Sequence, residues 1–538
     1  MKELFLFVRP PRPLWPFNSP ASAFWPPLAF ASLAAMLREK VRNLRVEILD
    51  APALEMGWRT LASEIQRRQP AFVGIGEEAV SCVEGLRLAR LAKLCHARVI
   101  AGGCFFGHVA PQALQTGLID VVVHGEGEIT LVELVQALRE GSPESLSRVN
   151  GISFLRDSRQ APKVGARPPD SPSGFVASAL CAELADGARP PGGSSGEVVT
   201  TPPRPLLSDL DSLPFPAYDL LPVGRYGARS LNHPHLAAIE MGRGCFGSCD
   251  FCVLWRQMGR MEGERVLPRL RMKSSARVLE EIRILVGRHD RRYLGWVDPC
   301  YNADPQAPGE LAELLLREGI QVGQSAWMRT DALVRDARSG ALDSCVRAGL
   351  NEIYLGIERA DPGGLAALGK TTGVEQAREA LRVLRAEFPQ VLTVGSFIYG
   401  LPGDSARTVW AIHRLAVELE LDHFAMIPLT PLPGTAGWRP ELWDPTGERF
   451  REFDFLPSGN PHGRYAALER SICLSLLLNW HPARLRSWLR LFSGDDRVRR
   501  VNRRLQARGI RFHAGWLLQR ALGGNHASGM VFPQWYES

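Results

Sequence analysis

With 538 residues the chain is too long for one hydrophobic core, so we expect two to four domains. A hydrophobic content of 45% and a charged content of 22% exclude a wholly disordered protein, and a net charge of +7 is modest for this length. Ten cysteines are too few for a disulfide scaffold, which favours a reducing cytoplasm where clustered cysteines bind metals or act in redox chemistry.

Two apolar runs near the N-terminus are neither a signal peptide nor a membrane span. The run "MKELFLFVRP" lacks a cleavage site, and "AFWPPLAFASLAAML" is only about fifteen residues long and contains two prolines. Short β-rich runs then alternate with helical patterns, and we predict strands at "ELFLFV", "RVEILDA", "AFVGIG", "ARVIAGG" and "DVVVHGEGE". This alternation predicts a parallel sheet covered on both faces, forming a domain over residues 1–145.

Glycines end several of these strands, at Gly102, Gly103, Gly125 and Gly127 among others. In open α/β sheets the ligand site lies outside the carboxyl ends of the strands. The glycines either let a bulky ligand approach the backbone there or make tight turns. Residues 146–230 change character, because Pro, Gly and Ser dominate most of them, and we predict a linker with a poorly ordered insertion.

A second β/α alternation follows over residues 231–437. Six predicted strands, "LAAIEMG", "YLGWVD", "QVGQSAWM", "EIYLGIE", "TVGSFIYG" and "HFAMIPLT", alternate with helical patterns. They predict a partial (β/α)6 barrel whose chemistry lies at the carboxyl ends of the strands. Residues 438–538 contain helical patterns with apolar faces and predict a mostly helical C-terminal domain. The arginines between Arg484 and Arg511 fit a solvated helix face better than an anion-binding surface.

The stretch "MGRGCFGSCDFC" places Cys245, Cys249 and Cys252 on one loop after the first strand of this barrel. A structural zinc site needs four ligands, and Cys300 and Cys345 stand isolated in other elements. Three thiolates instead suit three irons of a [4Fe-4S] cluster and leave the fourth iron open. The neighbouring glycines would let the loop wrap closely, and Phe251 could shield the cluster from water.

The spacing C-x3-C-x2-C after a first barrel strand resembles that of the radical S-adenosylmethionine (SAM) enzymes. The resemblance implies that the open iron binds SAM, which is cleaved reductively to a 5′-deoxyadenosyl radical. It also implies SAM contacts along the barrel, although Arg359 replaces a usual Ser and Asp404 a commoner Glu. The residues to which it assigns these contacts are Asp298, Glu358, Gly395, Ile398, Gly400 and Pro431.

The first domain resembles the Rossmann-like cobalamin-binding domain of one large radical SAM subfamily, through "FVGIG", "VIAGG" and "DVVVHGEGEITLVELVQAL". The resemblance implies cobalamin contacts through backbone groups of Gly102, Gly103, Gly125, Glu126 and Gly127. The segment "LDAPALEMG" lacks the histidine that ligates cobalt in cobalamin mutases, so no lower histidine ligand is expected. His108 and His124 lie near this edge and are better interpreted as surface or turn residues.

The resemblance implies an enzyme with three cofactors, a [4Fe-4S] cluster, SAM and cobalamin, that methylates an unactivated carbon of a small-molecule, lipid or tetrapyrrole-type substrate. A ring-forming enzyme, like the anaerobic magnesium-protoporphyrin monomethyl ester cyclase, is the alternative within this class. RNA modification and non-catalytic sensing are weaker alternatives. Expected partners are a small-molecule substrate and an electron donor such as flavodoxin or ferredoxin, with neither a nucleic acid nor a membrane span.

Overall fold

The structure is a computed structural model. It describes residues 2–12, 25–76, 81–156, 196–227, 233, 235–263 and 265–442, a few isolated positions between 468 and 514, and 535–538. Two large β/α sheets, each built on parallel strands, dominate this part of the chain, in the order expected from the sequence. Within the described ranges, no helix is both long enough and apolar enough to cross a membrane.

The first sheet contains seven strands in the order β2-β1-β3-β4-β5-β6-β7. The strands β1 to β5 are parallel, and all five coincide with predicted strands. Their bounds are β1 Glu3–Arg9, β2 Leu44–Asp50, β3 Phe72–Ile75, β4 Arg98–Ala101, β5 Val121–Val123, β6 Ile152–Arg156 and β7 Glu197–Thr200. The helices are α1 Leu28–Lys40, α2 Ala51–Leu54, α3 Trp58–Arg68, α4 Cys82–Leu94, α5 Gly103–Phe106, α6 Ala110–Gln115, α7 Gly127–Glu140 and α8 Pro143–Ser147.

The last two strands of this sheet lie beyond residue 145, in the segment predicted to be a linker. β6 pairs antiparallel with β5, and β7 pairs antiparallel with β6. The sequence "ISFLR" is short and stands beside a long Pro-, Gly- and Ser-rich segment, which dominated the prediction. The first sheet therefore continues past the predicted domain boundary, while the insertion itself, residues 157–195, lies outside the described residues.

The second sheet has six parallel strands in sequence order, β8-β13-β14-β15-β16-β17, and all six coincide with the predicted strands. The bounds of these six strands are β8 Leu236–Ile239, β13 Tyr293–Trp296, β14 Gly323–Met328, β15 Leu350–Glu358, β16 Leu392–Tyr399 and β17 His423–Pro428. Four short strands between β8 and β13 form two separate two-stranded sheets, in which β9 Gly242–Gly244 pairs with β12 Leu270–Met272 and β10 Arg260–Glu262 pairs with β11 Arg265–Leu267. The helices are α9 Leu254–Gln257, α10 Ser275–His289, α11 Ala307–Arg317, α12 Thr330–Ser339, α13 Ala341–Arg347, α14 Pro362–Ala367, α15 Val374–Glu387 and α16 Ala406–Glu418.

Strand register separates the two faces of this second sheet. Residues such as Leu294, Ile353, Leu355 and Phe397 are buried in one apolar core with the helices. Their neighbours along each strand point to the opposite face, which is the inner face of the partial barrel. Every strand of a parallel barrel ends at the same rim, so loops that follow the strands meet there.

The predicted helical domain over residues 438–538 lies almost wholly outside the described residues. The last four residues are described, and they pack on the first domain. Trp58 N donates to Tyr536 O at 3.0 Å, and the Tyr536 hydroxyl donates to Glu84 Oε1 at 3.2 Å. The C-terminal end of the chain thus contacts helices α3 and α4.

Candidate functional site

A two-stranded hairpin positions the cysteine loop. β9 pairs antiparallel with β12, so that Gly244 lies opposite Leu270 and Gly242 opposite Met272. A side chain at Gly244 would overlap the carbonyl oxygen of Arg269, and the residue has φ +104, which only glycine adopts readily. Glycine is therefore required here by the hairpin that presents the cysteines, rather than by the loop wrapping round a ligand.

Backbone hydrogen bonds fix the loop itself. Gly247 N donates to Cys245 Sγ at 3.3 Å, and the Trp255 indole donates to Cys249 O at 2.8 Å. Asp250 N donates to Leu368 O at 3.0 Å, which ties the loop to the segment after β15. The three cysteines are thus held by contacts on both sides of the loop, and Phe251 lies half-buried between the last two.

Two cations and a fourth thiol surround the cysteines. A Cβ at Gly247 would lie 2.6 Å from Arg329 Nη1, and the Arg329 guanidinium lies 4.4 Å from the centre of the Phe246 ring. The hydrogen bond from Cys300 lowers the pKa of the Cys245 thiol to about 6, and the Arg329 cation acts in the same direction. Positive charge near thiolates stabilises them as metal ligands.

Cys300 was left unassigned by the sequence, because it is 48 positions away from Cys252 in another element. It follows β13, is 4% exposed, and interacts electrostatically with Cys245. Its sulfur also lies 3.3 Å from Asn302 Oδ1. A thiolate at Cys245 would accept a hydrogen bond from the Cys300 thiol more strongly than the neutral Asn302 side chain does, because the thiolate is charged.

These residues fit a polynuclear cluster. Among the residues that the structure describes, no group of three His, Cys, Asp or Glu side chains is close enough to hold one metal ion. The three thiols of the loop nevertheless interact electrostatically, Cys252 with both Cys245 and Cys249. Three thiols on one loop suit ligands to three separate irons of a cluster.

A second ion pair lies beside the loop at the end of β15. Lys370 Nζ lies 3.4 Å from Glu358 Oε1, and both side chains are 7% exposed. Glu358 has φ +70 and follows a register shift in the pairing of β15 with β16. Lys370 also acts electrostatically on Cys245 and Cys249. The sequence alone did not assign a role to Lys370.

Arg359 and Asp404, the two residues that differ from the family pattern, form an ion pair with each other. Arg359 donates through Nη1 and Nη2 to the two carboxylate oxygens of Asp404, each at 2.8 Å. Asp404 Oδ2 in turn accepts Gly400 N at 2.7 Å and Leu401 N at 3.0 Å. A bidentate pair of this kind is geometrically specific, so it fixes the turn after β16 at the rim of the barrel.

Two residues predicted to contact SAM have other partners. Asp298 accepts Met241 N at 3.1 Å and Gly242 N at 2.5 Å, and burial raises its pKa to about 7. It therefore holds the strand that leads to the cysteines. Gly395 faces the helices, because a Cβ there would lie 2.5 Å from Leu421 Cδ1. Ile398 lies on the inner face, opposite Ile427 of β17.

The remaining predicted SAM-contacting residue, Pro431, lies half-buried after β17, where a Cβ at Gly437 would lie 3.5 Å from Pro431 Cβ. Its assignment stays a prediction.

The glycine-rich edge of the first sheet is partly open. Gly103, at φ +82, is exposed, and a Cβ at Gly125 would meet nothing within 4 Å. Gly102 and Gly127 pack more closely, against Val123 and Leu33 respectively. The open positions leave backbone accessible to a bulky ligand, as the sequence predicts for cobalamin.

Glu126, whose backbone is predicted to contact cobalamin, has a carboxylate that is bound within the protein. It accepts Arg243 Nη1 at 2.9 Å, Arg271 Nη1 at 2.7 Å and Leu207 N at 2.8 Å. Burial alone would raise the pKa of Glu126, but the two guanidinium groups outweigh it and lower the pKa. The side chain of Glu126 therefore joins the domains, and the sequence could not show this because Arg243 stands 117 residues away.

Further contacts bring the glycine edge and the cysteine loop together. Cys104 Sγ lies 2.6 Å from Gln257 Oε1, in the helix that follows the cysteines. A side chain at Gly434, after β17, would overlap the His108 ring. The His124 ring is half-buried, with Nδ1 2.9 Å from Gly107 O and Nε2 2.7 Å from Ser153 Oγ. The carboxyl edges of the two sheets thus face each other.

Comparisons with known proteins agree with this arrangement. The "uncharacterized methyltransferase PH0819" of Pyrococcus horikoshii is 27% identical over 416 residues, covering 77% of this chain and 78% of that protein. The anaerobic magnesium-protoporphyrin IX monomethyl ester cyclase of Rubrivivax gelatinosus is 25% identical, covering 80% and 68%. The structure of the radical SAM methyltransferase TsrM from Kitasatospora setae, with cobalamin and a [4Fe-4S] cluster bound, has the same fold: TM-score 0.56 at 20% identity, covering 81% and 77%.

Two family models match the chain itself. Residues 18–135 match the B12 binding domain, and residues 239–416 match the Radical SAM superfamily. The first match lies on the glycine-edged sheet, and the second begins at the end of β8 and includes the three cysteines. The chain therefore carries a B12-binding domain in front of a radical SAM domain.

Proposed function

We propose that the protein is a methyltransferase that adds a methyl group to an unactivated carbon of a small-molecule, lipid or tetrapyrrole-type substrate. The cofactors of this enzyme type are a [4Fe-4S] cluster, SAM and cobalamin. One observation carries the proposal: the strand that leads to Cys245 is joined by buried ion pairs to the rim of the B12-binding domain. Both cofactor-binding elements thus belong to a single site.

When bound, the cluster supplies a low-potential electron for SAM cleavage and cobalamin supplies methyl-transfer chemistry. The protein contributes binding and position. Cys245, Cys249 and Cys252 would hold the cluster, while Arg329 and Lys370 offset the charge of the thiolates. The open backbone at Gly103 and Gly125 would accept the corrin.

The rim residues have the task of keeping this geometry fixed. Asp298 holds the strand before the cysteines through two backbone N–H groups, and Arg359 with Asp404 holds the turn after β16. Rigid support matters because a reacting carbon must lie close to the radical source and to the methyl donor. Neither Asp298 nor the Arg359–Asp404 ion pair needs to touch the substrate to serve this role.

Replacing the three cysteines tests the cluster assignment. The variant with Ala at positions 245, 249 and 252 should bind no cluster and produce no 5′-deoxyadenosine from SAM under reducing, anaerobic conditions. The control is Cys345→Ala, at a buried cysteine packed against Pro308 in another element. Persistent SAM cleavage in the triple variant would contradict the assignment.

Ring closure is the second candidate, because the Rubrivivax gelatinosus cyclase aligns with 80% of this chain. Product mass distinguishes the two reactions. Methylation adds one methylene unit, and a trideuterated methyl group on SAM appears in the product. Cyclisation is an oxidation that adds no carbon from SAM, so a product without the isotope would favour it.

A reductant is required by this enzyme type, and we propose flavodoxin or ferredoxin in the cytoplasm as the source. Both carry single electrons at low potential, and the net charge of +7 would favour an acidic partner. The test measures SAM cleavage with reduced flavodoxin in place of a chemical reductant. Cleavage only with the chemical reductant would count against this partner.

A further inference from the structure

The inner face of the barrel carries an exposed aromatic surface. The Trp327 ring stacks on the Tyr354 ring, with centroids 4.9 Å apart and planes at 27°. Trp327 is 41% exposed, although large apolar side chains inside a barrel are normally buried. Its position at the carboxyl end of β14 places it at the rim where barrel enzymes bind their ligands.

Tyr354 is held rigidly from below. Its hydroxyl donates to Glu352 Oε1 at 2.6 Å, and the Tyr293 hydroxyl lies 3.5 Å from Glu352 Oε2. His233 Nε2 lies 3.3 Å from the same oxygen, Oε2. Since Glu352 is only 2% exposed and surrounded by these partners, its charge is not presented to the barrel interior. The Tyr354 ring is therefore held in place by a buried Glu352 carboxylate whose two oxygens both have polar partners.

The B12-binding domain contributes a second tryptophan to the same face. A side chain at Gly295 would overlap the Trp25 indole, so Trp25 lies directly on the backbone of β13. Gly295 pairs with Ser325, two residues before Trp327 on the adjacent strand. Trp25 is 37% exposed, and its carbonyl accepts Arg9 Nη1 at 2.8 Å.

Small residues line the inner face beside these rings. Register places Gly356 opposite Ser396, and Ser396 opposite Ala425, which is exposed. A Cβ at Gly356 would overlap Glu358 Oε1 and lie 3.2 Å from Lys370 Nζ, so this ion pair fills the space beside Gly356 and the small side chains of Ser396 and Ala425 leave the space in front of the rings. At this level the aromatic rings are thus bordered by two small side chains and by a carboxylate and an ammonium group that neutralise each other.

We propose that Trp25, Trp327 and Tyr354 form an aromatic shelf that binds the substrate, and that the substrate presents a flat, uncharged, unsaturated face to it. Flat groups stack on tryptophan better than saturated ones, because both surfaces make contact over their whole area. The proposal rests on the proposed function, since it assigns the shelf to the substrate of that reaction. It narrows the substrate class to molecules with an aromatic ring or an extended conjugated system.

Two matched probes test the shelf without turnover. Equilibrium dialysis against the reconstituted enzyme, with cluster, cobalamin and SAM bound, compares 2-naphthol with its saturated analogue decahydro-2-naphthol. We expect 2-naphthol to bind about tenfold more tightly, and Trp327→Leu to lower its affinity to that of the saturated analogue. Trp327→Phe keeps a flat ring and should recover most of the affinity.

The control is Leu94→Ala, which removes an equally exposed side chain, 38%, on helix α4 of the first domain. It should leave the binding of both probes unchanged. Equal affinity for the two probes, no binding of 2-naphthol, or an equal loss in Trp327→Leu and Trp327→Phe would each overturn the shelf. SAM cleavage by the wild-type enzyme is measured separately, so a failure of the proposed function is visible independently of the shelf.

Discussion

Arg243 Nη2 lies 2.7 Å from Glu128 Oε1, and this ion pair joins the strand before the cluster cysteines to the first helix after the glycine edge. The side chains are 9% and 7% exposed. Burial alone would lower the pKa of Arg243, but the carboxylates of Glu240, Glu128 and Glu126 outweigh it and raise the pKa. The guanidinium group stays charged and ties the two domains together at the site.

Removing one partner of this pair should destabilise the protein strongly. Glu128→Gln leaves part of the Arg243 charge uncompensated in a buried position, and such losses cost about 3–5 kcal/mol. We expect a clear fall in the urea midpoint of unfolding. Arg38→Gln is the control, because Arg38 and Asp219 also join distant segments but are 46% and 55% exposed, and should cost less than about 1 kcal/mol. Similar shifts in the two variants would contradict the role of burial.

Gly244→Ala should prevent the hairpin from presenting the cysteines. The new methyl group would overlap Arg269 O, and backbone cannot move aside as a flexible side chain can. We expect reconstituted protein to hold much less iron and sulfide per chain. The substitution has two effects, the overlap of the new methyl group and the strain of a side chain at positive φ. Gly263→Ala is the control for strain alone, because Gly263 also has a positive φ, +60, but a Cβ there would meet nothing within 4 Å. Full cluster content in Gly244→Ala would show that the overlap is tolerated.

Cys300→Ala should make the reduction potential of the cluster more negative. Cys300 lowers the pKa of Cys245 and so stabilises its thiolate, and we expect its thiol to donate to the charged sulfur of the bound cluster, where such a bond stabilises the reduced, more negative state. A bond of about 1 kcal/mol corresponds to about 40 mV for one electron. A redox titration followed by electron paramagnetic resonance measures the shift, and Cys345→Ala should show none. An unchanged potential in Cys300→Ala would mean that this bond does not form in the loaded protein.

Asp298 should make stability fall as pH rises. Burial raises its pKa from 3.8 to about 7, so the folded protein retains a proton that the unfolded chain has lost. Its contribution to stability is fully present below about pH 4 and is lost as pH rises through about 7. In Asp298→Asn this part of the pH slope of the unfolding midpoint should disappear. Asp343→Asn, at an exposed helix position, should keep the wild-type slope; equal slopes in all three proteins would contradict the raised pKa.

The sequence was most informative where pattern and period are local. All six barrel strands and the first five strands of the other sheet were predicted, because each is an apolar run ended by glycine or a polar residue. β6 and β7 were missed, since antiparallel strands beside a proline-rich segment give little periodicity. The spacing of the three cysteines likewise carried the cluster prediction by itself.

Partners that are far apart in the chain could not be read from the sequence. The resemblance assigned cofactor contacts to Asp298 and Glu126, but it did not show that their carboxylates bind groups about 56 to 145 positions away within the protein. A single sequence gives residue types and their spacing, but it does not show which buried charged side chains form ion pairs with each other. Arg359 and Asp404 illustrate the same point, because two separate departures from the family pattern are one ion pair.

Anaerobic reconstitution with iron, sulfide and hydroxocobalamin tests the central claim most directly, by measuring both bound cofactors and the products formed from SAM after reduction. The account predicts one [4Fe-4S] cluster and one cobalamin per chain, with 5′-deoxyadenosine formed by the wild-type protein and not by the variant lacking Cys245, Cys249 and Cys252. Protein that binds cobalamin and the cluster but leaves SAM intact under a strong reductant, or that cleaves SAM without the three cysteines, would contradict it.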